Sequence, residues 1–366
     1  GPRSVVAAFA VSFAIGSNSF EFSEGEIMQP KKQLSVKFFV IAILFAFPPY
    51  AGAATKKPST VAELALYKGA DRQQILEEGA KKEGKFNFYT SGTESERVVA
   101  AFEKKYPFIK VERWRADGKA LVTRILEEGK AGKNLFDIME GTTLYHVPLR
   151  QAGLYQSFYS PNFSQLDEEA LANAPDGGAY LAAFRLSGIG LGYNTKLIGK
   201  EQVPKAYSDL LDPKWKGKIA IVGSSTGVDW AGLLLVTYGE DFMKRLAQQD
   251  ITVHMVSGRA LNDMLINGEY AFSPTIFDSH VFASRAKGAP VDWLALEPVY
   301  VNVGQIALSN HAPNPHASLL FIDYDLSKEA AELYIKGGYS TFNKDITTVK
   351  KYKKFFGERS IDELKR

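Results

Sequence analysis

Short apolar strands alternating with helices predict an α/β fold with mainly parallel sheets. Three observations carry this expectation. Phe86, Phe88 and Tyr89 read as a strand, and Val98, Val99, Phe102 and Tyr106 follow at helical spacing from near Glu94. The same succession of apolar run, small polar turn and helix recurs after Phe136–Met139 and after Ile219–Val222. At 366 residues the chain is long enough for two lobes, each with its own core.

Taken in order, residues 1–27 precede a plausible initiator, Met28, and read as an upstream extension rather than fold. Lys31 and Lys32, the apolar run Phe38–Phe47 and the small residues Ala51-Gly52-Ala53 form a secretory signal pattern over 28–53. Val61–Lys82 is expected as one amphipathic helix. The helix from Glu94 stops at Pro107, and Phe108–Trp114 alternates as a second strand. A helix carrying Leu121, Val122, Ile125 and Leu126 on one face follows the turn Arg115–Gly118, and Phe136–Met139 is a third strand. The next helix ends by Gly153. Leu181–Tyr193 and Pro298–Leu308 are long extended segments. Between them come a strand Ile219–Val222, helices Trp230–Tyr238 and Arg259–Asn267, and a strand Ile251–Val256. Helices Ala317–Tyr324 and Lys328–Tyr334 close the fold before a charged tail from Lys350 to Arg366.

Composition excludes several classes. With 44 basic and 41 acidic residues the formal charge is +3, too balanced for a nucleic-acid binder. The chain has no cysteine, which removes disulfides, thiolate metal sites and a cysteine nucleophile. The histidines His146, His254, His280, His311 and His316 show no metal-binding spacing and read as surface or packing residues. No cofactor is expected.

Three stretches rich in short donors stand between an expected strand and an expected helix: Thr90-Ser91-Gly92-Thr93, Glu140-Gly141-Thr142-Thr143 and Gly223-Ser224-Ser225-Thr226-Gly227. A turn entering a helix points backbone N–H groups outward at the positive end of the helix dipole. Hydroxyls and N–H groups each give a small oxyanion one hydrogen bond without a full charge. Ligands of open α/β sheets collect at the carboxyl ends of the strands, where such turns gather. The candidate ligand-binding residues are therefore Ser91, Gly92, Thr93, Gly141, Thr142, Thr143, Ser224, Ser225, Thr226 and Gly227.

The segment Tyr207-Ser208-Asp209-Leu210-Leu211-Asp212-Pro213-Lys214-Trp215-Lys216-Gly217-Lys218-Ile219 resembles a motif of the substrate-binding proteins of bacterial ABC importers, in the branch that includes the ferric-iron-binding proteins. Phe102–Pro107, Asp137–Met139, Gln151–Leu154, Gly192–Thr195, Asn267–Tyr270, Ala286–Pro290 and Ala312–His316 support the likeness, which covers roughly Lys82 to Thr341. It implies a two-lobed periplasmic-binding-protein fold, type II-like, with two extended crossover strands and a ligand in the cleft. Residues 54–183 with 306–366 would form one lobe and 184–305 the other. It also implies a periplasmic, monomeric protein that closes on a small molecule and delivers it to an inner-membrane ABC permease. Ferric members of that branch use a His, a Glu and two adjacent Tyr, at positions that register here as Thr93, Thr142, Asp278 and Ser279. Ferric ion requires several anionic oxygens, which this set does not supply. An anionic or zwitterionic solute (a carboxylate, amino acid or phosphonate) is the expectation, with an iron or iron-chelate binder as an alternative. Asp278 would pair with a ligand ammonium and Arg185 with a carboxylate, where the branch tends to carry arginines at the positions of Ser187 and Ile189. Phe277 would wall the cleft; for it and for Trp230, a core aromatic is the competing reading.

One enzymatic alternative exists. Gly223–Gly227 also fits the G-x-S-x-G elbow of serine hydrolases, between a strand and a helix. Ser225 would be the nucleophile, with Asp278 or Asp292 and His280 or His311 as partners. The short pattern arises easily by chance, and the main expectation is a binding protein without catalysis.

Overall fold

The long strand Ala179–Asn194 runs through the middle of the molecule and pairs antiparallel with the second long strand, Val299–Ser309, from Tyr300 opposite Ile189 to Ile306 opposite Ala182. The computed structural model describes residues 57–346 and the backbone of 354–356. The expected extension, leader and cleavage pattern, and most of the charged tail, lie outside the described residues. The two long strands are the two extended segments read from the sequence, the first slightly longer than expected and the second shifted by one residue.

On one side of this pair, Ile138–Thr142 joins the second long strand antiparallel. Lys85–Thr90 then pairs parallel with it, and Lys110–Arg115 parallel with Lys85–Thr90. Further along the first long strand, Phe272–Phe277 and Val291–Leu294 pair with its two opposite edges, both antiparallel. Ala220–Val222 and Thr252–His254 make a small parallel pair of their own. The sheet is thus mixed. Strands joined through a helix pair in parallel, as such connections require, and the crossover strands bring the antiparallel pairings.

The described residues form one compact unit built on separate apolar cores. Phe86, Phe88, Phe102 and Phe321 anchor the core of the first half, with ring centroids 5.0–6.5 Å apart. Trp215, Trp230, Phe272 and Tyr207 anchor that of the second. Trp230 is therefore a core side chain. Tyr207 and Trp215, from the segment that carried the family likeness, are buried there as well.

Two expectations change. Val61–Lys82 is two helices, Val61–Ala65 and Arg72–Glu83. They are separated by a turn in which the Tyr67 hydroxyl donates to Asp71 (2.6 Å) beside Gly69. The Glu140–Thr143 turn is not a turn: Glu140, Gly141 and Thr142 complete their strand, opposite Ile306, Gln305 and Gly304, and the helix Thr143–Gln151 starts at once. Elsewhere the expected helices appear, with Trp230–Tyr238 extended into Ser225–Ala247 and interrupted at Gly239.

Candidate functional site

A cavity of about 270 Å³ opens where the two halves meet. Its walls come from the two long strands and from the carboxyl ends of the shorter ones. Ser91, Gly92, Thr93, Asp117, Thr142 and Tyr145 face it from the first half. Thr226, Asp229, Phe277, Ser279 and His280 face it from the second, and Arg185, Ser187 and Asn302 from the long strands. Of the residues expected from the sequence, Ser91, Gly92, Thr93, Thr142, Arg185, Thr226 and Phe277 therefore meet in one place.

The first hydroxyl turn does bind a carboxylate, but an internal one. Glu140 is buried beneath it and accepts from the Thr90 hydroxyl and from the backbone N–H of Gly92 (3.3 Å). The Ser91 N–H donates to the Glu140 carbonyl (3.1 Å). Gly92 is required by this fit, because a Cβ there would lie 2.7 Å from a Glu140 carboxylate oxygen.

Arg185 completes the arrangement. Its guanidinium is buried, pairs with Glu94 and with Glu140 (3.3 Å), and donates to the Asn302 side chain (3.0 Å). The Tyr339 hydroxyl donates to Glu94 (3.2 Å), and the Tyr339 ring lies 5.2 Å from the guanidinium carbon. Arg185 is thus already charge-balanced, which corrects the expectation that it waits for a ligand carboxylate. Burial by itself would lower its pKa, but Glu94 and Glu140 outweigh that and hold it above the ordinary value. Burial raises Glu140 to about 7, with Arg185 pulling down and Glu94 pushing up. Asp325, buried nearby under the Tyr334 hydroxyl (2.6 Å), is likewise raised by burial to about 7.

The second-half turn is built differently. Ser224 caps the helix Ser225–Ala247 without a side-chain bond, and the Gly227 N–H returns to the Ser224 carbonyl (2.9 Å). Ser225 is the first helical residue. Thr226, one position on, reaches the cavity, and so does Asp229 one turn into the helix. Asp229 accepts from the Tyr300 hydroxyl, and burial raises it to about 6. His280 is held neutral: burial first, then the nearby Arg259 charge, lower it to about 4.

Several expected residues stand off the cavity. Gly141 is committed to the sheet and Thr143 starts its helix. Ser224 and Gly227 shape the helix end rather than line the space. Asp278 is buried behind the wall, where it accepts from the Ser187 hydroxyl (2.6 Å) and the Gly188 N–H (3.2 Å). A free carboxylate for a ligand ammonium is not what this position offers. The residues that sequence reasoning missed are Glu94, Asp117, Asp229, Asn302 and Tyr339. Asp117 alone left a signal: it is the N-cap of the helix Gly118–Lys130 and accepts from the Ala120 N–H (3.1 Å).

The acid and base candidates of the hydrolase alternative are engaged elsewhere or exposed. Asp278 is engaged as above, Asp292 pairs with Arg285 (2.7 Å), and His280 packs beside Gly258 and the Arg259 charge. His311 is exposed. His146 is buried against the Tyr155 hydroxyl (2.9 Å) and the Gln305 carbonyl (3.1 Å). His254 bonds Tyr270 (2.9 Å), and His316 pairs with Glu83 (2.6 Å). Among the described residues no group of three or more His, Cys, Asp or Glu side chains is placed to hold a metal ion, and no helix is long and apolar enough to cross a membrane.

Residues 144–259 match the family described as bacterial extracellular solute-binding protein. An uncharacterized protein of Haemophilus influenzae is 27% identical over 277 residues, covering 71% of this chain and 78% of its own. The solved structure of the periplasmic binding protein AfuA from Actinobacillus pleuropneumoniae, with exogenous fructose-6-phosphate bound, matches with a TM-score of 0.61 and 24% identity. The match covers 76% of this chain and 90% of AfuA. Iron-bound HitA from Pseudomonas aeruginosa matches with a TM-score of 0.62 and 18% identity, over 73% of this chain and 90% of HitA.

Proposed function

We infer that the chain works as the periplasmic substrate-binding proteins of bacterial ABC importers do, which it resembles in sequence and fold, in the branch of the ferric-binding proteins. From that premise, we propose that it captures a small organic anion in the inter-lobe cavity and hands it to an inner-membrane permease. Its place of work is then the periplasm, and it performs no catalysis. The observation that carries this reading is a single cavity holding the amino end of the helix Ser225–Ala247, through Thr226, opposite donors of the other half. The partial positive charge of a helix amino end favours an anion.

The rest of the wall narrows the solute. Asp117 and Asp229 can only accept hydrogen bonds when ionised, so they suit ligand hydroxyl or ammonium groups. A hydroxylated phosphate, a hydroxy acid or an amino acid meets both demands. AfuA, of similar fold, holds a sugar phosphate. A volume of about 270 Å³ lies just below the usual range of ligand sites, about 300 to 1,000 Å³, and so suits a small solute. Closure of the halves would exclude water and strengthen each of these bonds.

A thermal-shift screen of carboxylates, amino acids, phosphonates, hexose phosphates and ferric citrate, followed by calorimetry, tests the reading. An organic anion should raise the melting temperature, and at about a hundred times its Kd it adds about 2.7 kcal/mol. A response to ferric iron alone would replace the anion reading with the iron one. Stoichiometric labelling of Ser225 by a fluorophosphonate would replace the binding reading with the hydrolase one.

A further inference from the structure

A second concavity, of about 580 Å³, lies between the halves on the far side of Thr93, Glu94 and Tyr339, which wall both spaces. Four cations line it. Arg97 comes from the helix Ser95–Lys105 and Lys336 ends the helix Lys328–Lys336. Arg259 stands in the first turn of the helix Gly258–Asn267, and Lys287 follows the helix Asp278–Arg285. Two therefore belong to each half.

Their charges are not neutralised by the protein. Among the described residues none of the four forms an ion pair, whereas Lys105, Arg113 and Arg285 on adjoining elements do. The acids of this groove are spent: Glu94 on Arg185, and Glu96 on Arg113 (3.6 Å). Arg97 donates one bond to the Leu333 carbonyl (3.3 Å), which fixes its stem and leaves the rest of its fork to the groove.

Next to the groove is a close inter-half contact. Gly338, at φ 89°, has no room for a side chain: a Cβ there would lie 2.8 Å from the Phe282 ring and 3.0 Å from the Ser279 carbonyl. The segment carrying Lys336 is thus pressed against the helix that precedes Lys287. Four like charges held over such a contact repel one another, and a multivalent anion between them turns that repulsion into attraction to both halves.

We propose that this groove is a second anion site, which takes a phosphate-class dianion and bridges the two halves. Because the cations are divided between the halves, such an anion binds the closed arrangement better than an open one, and so favours closure. The dianion has two possible sources with one chemistry: the far end of a two-headed solute in the neighbouring cavity, or free phosphate.

Calorimetric titration of the full chain with inorganic phosphate, at constant ionic strength in chloride, tests the site. The expected result is saturable binding that weakens at least about tenfold in the double variant Arg259→Gln, Lys336→Gln, with the loss of charge-assisted bonds on both halves. It should also weaken as salt is raised. No saturable binding, or binding unchanged in the double variant, overturns the proposal. Circular dichroism of these surface variants should match the parent. Comparison of fructose 1,6-bisphosphate with fructose 6-phosphate separates the sources. A loss confined to the bisphosphate in the double variant assigns the groove to the solute's far end. Phosphate binding that persists with the monophosphate saturating assigns it to the free ion. Thr226→Ala reports on the main cavity alone, so failure there leaves this site standing, and the reverse.

Discussion

Thr90–Thr93 and Gly223–Gly227 look alike in the sequence, yet the molecule uses them in opposite ways. The first turn points its donors at the buried Glu140, which takes the Thr90 hydroxyl and the Gly92 N–H, while Arg185 balances the carboxylate from the other side. The second leaves the helix end at Thr226 facing the shared cavity. A turn's capacity to hold an anion is therefore a local property. Whether that capacity serves a ligand is decided by which carboxylate the rest of the fold delivers to it.

The comparison breaks most readily at Glu140. Glu140→Ala removes the acceptor of two donors and one of the two carboxylates paired with a buried guanidinium, and should cost about 3–5 kcal/mol of stability. Chemical denaturation checks this; a loss below about 1 kcal/mol would mean that the first turn is not filled from within. At the open turn, Thr226→Ala should weaken solute binding by about 1–3 kcal/mol with little change in unfolding. Calorimetry with the solute found by screening reads that effect. Asp278→Ala should act the other way round, lowering stability more than affinity, because its partners are Ser187 and the Gly188 N–H.

The buried acids give a pH signature. Glu140 and Asp325 lie at about 7 and Asp229 at about 6, all above their unfolded values, so the folded state binds protons more tightly than the unfolded chain. Their contribution is fully present below the unfolded carboxylate range and is lost as pH rises through about 6–7. His146 and His280, each lowered to about 4, act in the opposite sense, and their contribution is lost as pH falls below the ordinary histidine value. The melting temperature should thus rise by roughly a few degrees as pH is lowered from 8 to about 6.5, with the two histidines offsetting part of any further gain below that. Glu140→Gln should flatten the upper limb; a parent protein that instead gains stability steadily up to pH 8 contradicts the burial of these acids. The smallest effect is expected at Ser224, which makes no side-chain cap bond. Ser224→Ala should change stability and affinity by less than about 0.5 kcal/mol, where a bonded cap would be worth about 1.

Much of this frame was legible in the chain. Apolar spacing placed the strands and helices around Phe86, Phe102 and Ile125, and the two extended segments proved to be the central antiparallel pair. Thr93, Thr142 and Thr226 were found because strand–turn–helix joints gather at one edge of the sheet. Glu140 was in plain view, but its role depends on a contact across 50 residues that no local pattern encodes. Arg185 was misjudged for the same reason, since Glu94 and Glu140 reach it from separate elements. Asp229 sits on a helix face whose neighbours Trp230 and Leu233 are core residues, so periodicity could not mark it as facing a cavity.

The most direct measurement is a crystal structure of the protein with the solute that gives the largest thermal shift. The account predicts the anionic group within hydrogen-bond distance of the Thr226 backbone N–H and hydroxyl, with Asp117 or Asp229 accepting from the solute's other end. A ferric ion held by the acids of the cavity, or a solute bound with Thr226 uncontacted, would contradict it.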